Sequence, residues 1–127
     1  MPSGIRDFDE ITSGLHPSDL ILIVTDPKTA KTSLVTSIAC NVAQGAGVLM
    51  FSSKKREEAL LVDMLSTNTG LNIPRSCSKA TQDYFHKVVD AAVLLHGRSI
   101  FIDDHADNSA SSVFSKALSF KQKLDKD

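Results

Sequence analysis

Apolar and polar positions fall into a regular alternation of short runs and long periodic stretches. Asp19-Leu20-Ile21-Leu22-Ile23-Val24 is an unbroken aliphatic run after a Gly14/Pro17 turn, the pattern of a strand buried on both faces of a parallel sheet. From Thr32 onward, Leu34, Val35, Ile38, Ala39 and Val42 recur at helical spacing, and Gly45 and Gly47 supply a stop. Val48-Leu49-Met50-Phe51 predicts a second strand. Glu57-Glu58 opens a helix that runs through Leu61, Met64 and Leu65 and closes at Gly70. After Pro74, the segment from Thr81 to His96 places Tyr84, Val88, Ala91 and Leu95 on one helical face, with Gly97 as its C-terminal cap. Ser99-Ile100-Phe101-Ile102 predicts a third strand. Ser109 then caps a last helix whose apolar stripe is Val113, Phe114, Ala117, Leu118 and Leu124, and the polar stretch from Lys121 to Asp127 frays.

Strands alternating with helices predict an α/β fold with a mainly parallel sheet of about three strands and flanking helices. At 127 residues the chain has room for one domain, 1–127, with its own core. The net charge is −1 and basic residues are scattered apart from Lys54-Lys55-Arg56, so strong nucleic-acid binding is not expected. Cys40 and Cys77 have no metal-ligand spacing, and no apolar run reaches membrane-spanning length, so a reducing cytoplasm with two buried, inert thiols is the expectation.

The chemistry concentrates between Val24 and Ser33. Val24-Thr25-Asp26-Pro27-Lys28-Thr29-Ala30-Lys31-Thr32-Ser33 has the lysine and hydroxyls of a phosphate-binding loop but neither of its glycines. Glycine matters there because backbone N–H groups must close around the phosphates, a conformation that costs another residue roughly 1–2 kcal/mol. Thr25, Ala30, Lys31, Thr32 and Ser33 are the candidate residual phosphate site, with Thr32 the Mg²⁺ contact if a magnesium nucleotide binds. The four histidines lack ligand spacing. Asp103-Asp104-His105-Ala106-Asp107 lies at a strand's carboxyl end, where α/β proteins place ligands, although acids there more often cap the next helix. Tyr84 and Phe85 read as core residues, and no serine is marked as a nucleophile.

The opening Gly4-Ile5-Arg6-Asp7-Phe8-Asp9-Glu10-Ile11-Thr12-Ser13-Gly14-Leu15 and the stretch through Leu20 resemble the start of the C-terminal motor domain of DnaB-type replicative helicases, RecA-like ATPases. The likeness continues in order through Asp26–Thr32, Val48–Ser52 and Ile100–Asp104. It implies a partial RecA-like phosphate-loop fold, with ATP and Mg²⁺ as cofactors. Lys31 and Thr32 match the family lysine and metal-binding hydroxyl, whereas Thr25 and Ala30 replace its two glycines. Beyond the second strand the resemblance implies a water-activating glutamate, and Lys54 stands there instead. A protonated lysine offers no acceptor to a water, so no catalytic residue is assigned.

Ile100-Phe101-Ile102-Asp103-Asp104 by itself looks like a Walker B strand with Asp103 as the Mg²⁺ ligand. The resemblance instead assigns it to the preceding strand, so that Walker B, the DNA-contacting loops and the arginine finger all lie beyond the residues present. The sheet order it implies also separates the first strand from the second and third by two strands this chain does not contain. The first strand must then pair directly with the second, or two chains must complete each other's sheets. Helices crossing in one direction would leave one sheet face open unless the last helix folds across it. The expected partner is a second copy in a homodimer or an intact replicative helicase. The expected function is a degenerate helicase-like domain acting by protein contact, with a nucleotide-binding protein as the alternative.

Overall fold

The computed structural model describes residues 1–26, 31–73, 81–105 and 109–125. Its elements run α1 (Arg6–Thr12), α2 (Lys31–Val42), β1 (Val48–Phe51), α3 (Glu57–Thr69), α4 (Gln82–His96), β2 (Ile100–Asp103) and α5 (Ala110–Leu124). The fold is α/β, as expected. Strands β1 and β2 pair in parallel, Val48 opposite Ile100 and Phe51 opposite Asp103, and α3 and α4 form the crossover that a parallel pair requires. Ser52 N–H donates to the Asp103 carbonyl at 2.9 Å, carrying the ladder one step further.

Two-residue alternation along the strands sends side chains to opposite faces of this sheet. Ile100 and Ile102 share an apolar cavity of ≈ 280 Å³ with Leu61, Met64 and Leu65 of α3 and Leu95 of α4. On the other face Phe101 meets Phe120 of α5 edge-on, with ring centroids 4.5 Å apart, and Asp103 binds Lys116. The last helix therefore does fold across the second face.

The main correction concerns the expected first strand. Residues 19–24 form no strand among the described residues, the sheet has two strands rather than three, and Leu20, Leu22 and Val24 are 97%, 84% and 81% exposed. Among the described residues no hydrogen bond forms from the backbone of Leu20–Val24. β-propensity describes fitness for a pleated, half-buried surface, so an aliphatic run without a neighbouring strand has nothing to stabilise its ladder. It lies instead beside α1 and α2, where Ile21 and Ile23 help line a groove of ≈ 510 Å³ with Ile5, Phe8, Leu34 and Ile38.

The sequence pattern gave no warning of α1. Its signals are an i,i+4 pair, Arg6 Nε to Glu10 Oε1 at 2.9 Å, and acids in the first turn. Asp9 holds the N-terminal segment against this helix by accepting from Ser3 N–H at 2.9 Å and Gly4 N–H at 3.1 Å. These bonds, that from Ser3 first, hold its carboxyl below the ordinary value. Gly4 sits at φ +81° with Asn41 so close that a Cβ would collide with it, and Asn41 Nδ2 donates to the Ser3 carbonyl at 3.1 Å. Arg98 Nη1 likewise donates to the Cys40 carbonyl at 2.9 Å, tying α2 to the start of β2.

Packing follows the expected face on α4, where Tyr84, Val88 and Leu95 are half-buried and Ala91 buried. Phe85 does not: it is 61% exposed, so its reading as core is wrong, while Tyr84 donates its hydroxyl to the Asn72 carbonyl at 3.1 Å. On α5 the inward face is Val113, Lys116, Ala117 and Phe120, leaving Phe114 69% and Leu118 49% exposed. Asp103 pairs with Lys116 on the inward side, so only Val113 and Ala117 of the predicted stripe face inward while Phe114 and Leu118 face solvent. Among the described residues the buried hydrophobic core is small, comprising Ala39, Cys40, Ala43, Leu60, Met64 and Ala91. Cys40 is buried as expected, and Cys77 lies outside the described residues.

Candidate functional site

Two clusters carry the polar chemistry. The first is the turn into α2. Thr25 is half-buried at the end of the extended segment, Ala30 lies outside the described residues, and Lys31, Thr32 and Ser33 make the first turn of the helix. Lys31 and Ser33 are exposed and Thr32 is half-buried, and among the described residues no side chain of these three is hydrogen-bonded or ion-paired. The Ser33 carbonyl accepts from Thr36 Oγ1 at 3.1 Å. This first turn holds no carboxylate, so the unbonded N–H groups and positive end of the helix dipole face no competing anion from their own helix.

The second cluster occupies the carboxyl ends of β1 and β2. Ser52 organises the loop after β1: its hydroxyl donates to the Lys55 carbonyl at 2.6 Å and accepts from Lys55 N–H at 3.1 Å. Lys55 is tied to Asp63 of α3, while Lys54 is exposed at a shallow cavity of ≈ 450 Å³ that Arg56 and Glu58 also line. Across from this loop, Asp103 accepts from Lys116 Nζ at 2.7 Å, from His105 N–H at 3.1 Å, and lies 2.8 Å from His105 Nδ1. The Lys116 ammonium, then the His105 N–H, hold the Asp103 carboxyl down to about 2.

Asp104 does cap a helix, but not the next one. Its Oδ2 accepts Glu57 N–H at 3.0 Å at the start of α3, whereas α5 is capped by Ser109, whose hydroxyl accepts Ser112 N–H. Among the described residues no group of three histidine, cysteine or carboxylate side chains is placed to hold a metal. Asp107 and Ala106 lie outside them. No hydrogen bond or ion pair links Thr25, Lys31, Thr32 or Ser33 to the Lys54–Asp103 end among the described residues. Lys116 was missed by sequence reasoning because it lies 13 positions from its carboxylate on the next element, a pairing that no local spacing rule detects.

Comparison with known proteins follows the same order of segments. The profile of the DnaB-like helicase C terminal domain matches residues 1–127. The chain belongs to this family. The replicative DNA helicase DnaB of Geobacillus stearothermophilus is 30% identical over 125 residues, covering 96% of this chain and 28% of that helicase. The replicative DNA helicase DnaC of Bacillus subtilis (strain 168) is 29% identical over the same shares, and a probable replicative DNA helicase of Guillardia theta is 28% identical over 94% of this chain and 20% of its own length. The DnaB-like chain thus spans between a fifth and little more than a quarter of the length of these relatives. Among the described residues no helix is long and apolar enough to cross a membrane.

Proposed function

We propose that this chain is a helicase-family domain that acts through protein contacts and does not hydrolyse nucleoside triphosphates. The observation that carries the reading is Lys54, exposed at the carboxyl end of β1 where the family resemblance expects a carboxylate base. An ammonium has no lone pair to orient or deprotonate a water, and neighbouring Lys55 and Arg56 offer none either. Of the carboxylates near this end, Asp103 is engaged by Lys116 and His105 and Asp104 accepts Glu57 N–H, both consistent with structural roles, and Glu58 lines the cavity beside Lys54. The substitutions Thr25 and Ala30 weaken phosphate cradling without removing the cation Lys31. The partner class is a replicative DNA helicase of the kind it resembles, or a second copy in a homodimer.

A phosphate-release assay on the purified chain with ATP and Mg²⁺ tests the first half, with no turnover above buffer as the expected outcome. Steady ADP production that disappears in Asp103→Asn would overturn it. Retention of a replicative helicase by the immobilised chain tests the second half, and recovery of nothing counts against a helicase partner.

A second reading is favoured by the first turn of α2, where Lys31 and Thr32 are unpaired and no acid intervenes. There the chain holds ATP and Mg²⁺ without turning them over: Lys31 holds the phosphate charge, Thr32 offers its hydroxyl to the metal, and Ser33 and the helix N–H groups add hydrogen bonds. Titration calorimetry separates the two. Micromolar binding abolished by Lys31→Ala supports the nucleotide-binding reading, and absence of heat supports the interaction domain.

A further inference from the structure

Strand β2 ends at Asp103 and Asp104 follows it, so two adjacent carboxylates leave the strand end toward opposite faces of the sheet. Asp103 lies on the face covered by α5, where it accepts from Lys116 Nζ at 2.7 Å. Asp104 reaches the opposite layer, where its Oδ2 accepts Glu57 N–H at 3.0 Å at the start of α3. We propose that this acid pair is a clamp that couples α5 to the loop carrying Lys54, with Asp104 as the residue that positions that loop.

The coupling runs through one rigid unit. The Asp103 carbonyl, which accepts Ser52 N–H at 2.9 Å, and the Asp104 Cα belong to the same planar peptide group. Whatever fixes Asp103 therefore fixes the acceptor of Ser52 and the origin of the Asp104 side chain together. One oxygen of Asp103 turns to the neighbouring His105, so Lys116 is the tie that reaches another element, and the charge on both partners strengthens it. The loop after β1 is consequently held at both ends by β2, at Ser52 by the Asp103 carbonyl and at Glu57 by the Asp104 carboxylate.

Between these anchors the Ser52 hydroxyl bonds the Lys55 backbone, and the Lys55 ammonium is tied to Asp63 of α3. Lys54 and Arg56 are left exposed at the cavity of ≈ 450 Å³, their side chains engaged by no bond among the described residues. A cap supplied by a near neighbour, as Ser109 supplies to α5, reports only on its own helix. Asp104 lies 47 positions from Glu57 and beside the carboxylate held by α5, so the start of α3 senses the far layer of the sheet. Drawing Lys116 away from Asp103 shifts that shared peptide, loosens Ser52 and Glu57 together, and changes how Lys54 and Arg56 are presented.

Backbone amide exchange and ¹⁵N–¹H spectra of the full chain test the clamp. Asp104→Ala should speed exchange at Glu57 by about tenfold or more, as expected on losing a hydrogen bond to a charged acceptor. Asp104→Asn keeps an accepting oxygen and should restore most of the protection. Lys116→Met keeps the apolar stem and removes the charge. It should move the Ser52–Glu57 resonances and speed exchange at Glu57, while α4 amides around Ala91 keep their unmodified rates. In Asp104→Ala/Lys116→Met, exchange at Glu57 should be no faster than in Asp104→Ala alone, because one route serves both. Ser52–Glu57 resonances unmoved by Lys116→Met, effects of the two substitutions that simply add, or equal acceleration around Ala91 overturns the inference. The Lys116→Met measurement decides by itself should Asp104→Ala fail to fold. ATP turnover and partner capture play no part in these readouts, so their failure is distinguishable from failure of the preceding reading.

Discussion

Asp103 is the best-connected polar side chain at the strand ends, and its environment makes a pH prediction. Its carboxyl is held down to about 2 by the Lys116 ammonium and then by the His105 N–H, against 3.8 for the free side chain. A depressed carboxylate contributes stability that is fully present above the unfolded value and lost as pH falls through the folded one. Thermal melts of Asp103→Asn should therefore show a lower midpoint than the unmodified chain at neutral pH, with the gap closing between about pH 4 and pH 2. A gap unchanged at pH 2 would place the effect in packing instead. The pairing with Lys116 was invisible in the sequence, where Lys116 lies on the flank of an apolar stripe drawn from Val113, Phe114 and Ala117.

The helices differ in how their ends are held, and the caps explain the difference. Ser109 accepts from Ser112 N–H at the start of α5, and Lys121 and Lys123 sit in the last turn, where the helix dipole favours cations. Ser109→Ala is expected to lower stability by about 0.5–2 kcal/mol in denaturant titrations, whereas Ser109→Gly should cost only a few tenths. Helix α3 borrows its cap from another element, Asp104, so its start depends on β2 being in place. Gly70 ends α3 in the left-handed conformation, at φ +66°, as the sequence suggests. Gly97 ends α4 differently, in the right-handed region, with its N–H directed to the Leu95 and Val93 carbonyls.

The molecule as a whole is thinly buried, which raises the weight of each core side chain. Met64, 1% exposed, and Leu60, 3% exposed, are the largest of the buried hydrophobic residues among those described, and both lie on α3. Helix α3 packs against both α2 and α4, so it joins the two parts of the core. Met64→Ala should cost about 2–5 kcal/mol. Since domains of this size are stable by only about 5–15 kcal/mol, the variant should unfold at a much lower urea concentration. A midpoint shift no larger than that of Ser109→Ala would show that α3 does not join the core. Two parallel strands supply little ladder stability by themselves, so the helices carry the fold.

Periodicity in the sequence determined α2, α3, α4, α5, β1 and β2 nearly to their ends, because each has a local stop or cap and a neighbour to bury its apolar face. The family likeness and the positions of Lys31, Thr32 and Lys54 were legible for the same reason: spacing along one chain records them directly. The fate of Leu20–Val24 was not, since a run of aliphatic residues becomes a strand only where another strand accepts its hydrogen bonds. Tertiary structure alone decided that this segment stays unpaired, that α5 turns Phe120 inward and Phe114 outward, and that Asp103 meets Lys116. Each depends on which element arrives beside which, a property of the assembled chain that no window of neighbouring residues contains.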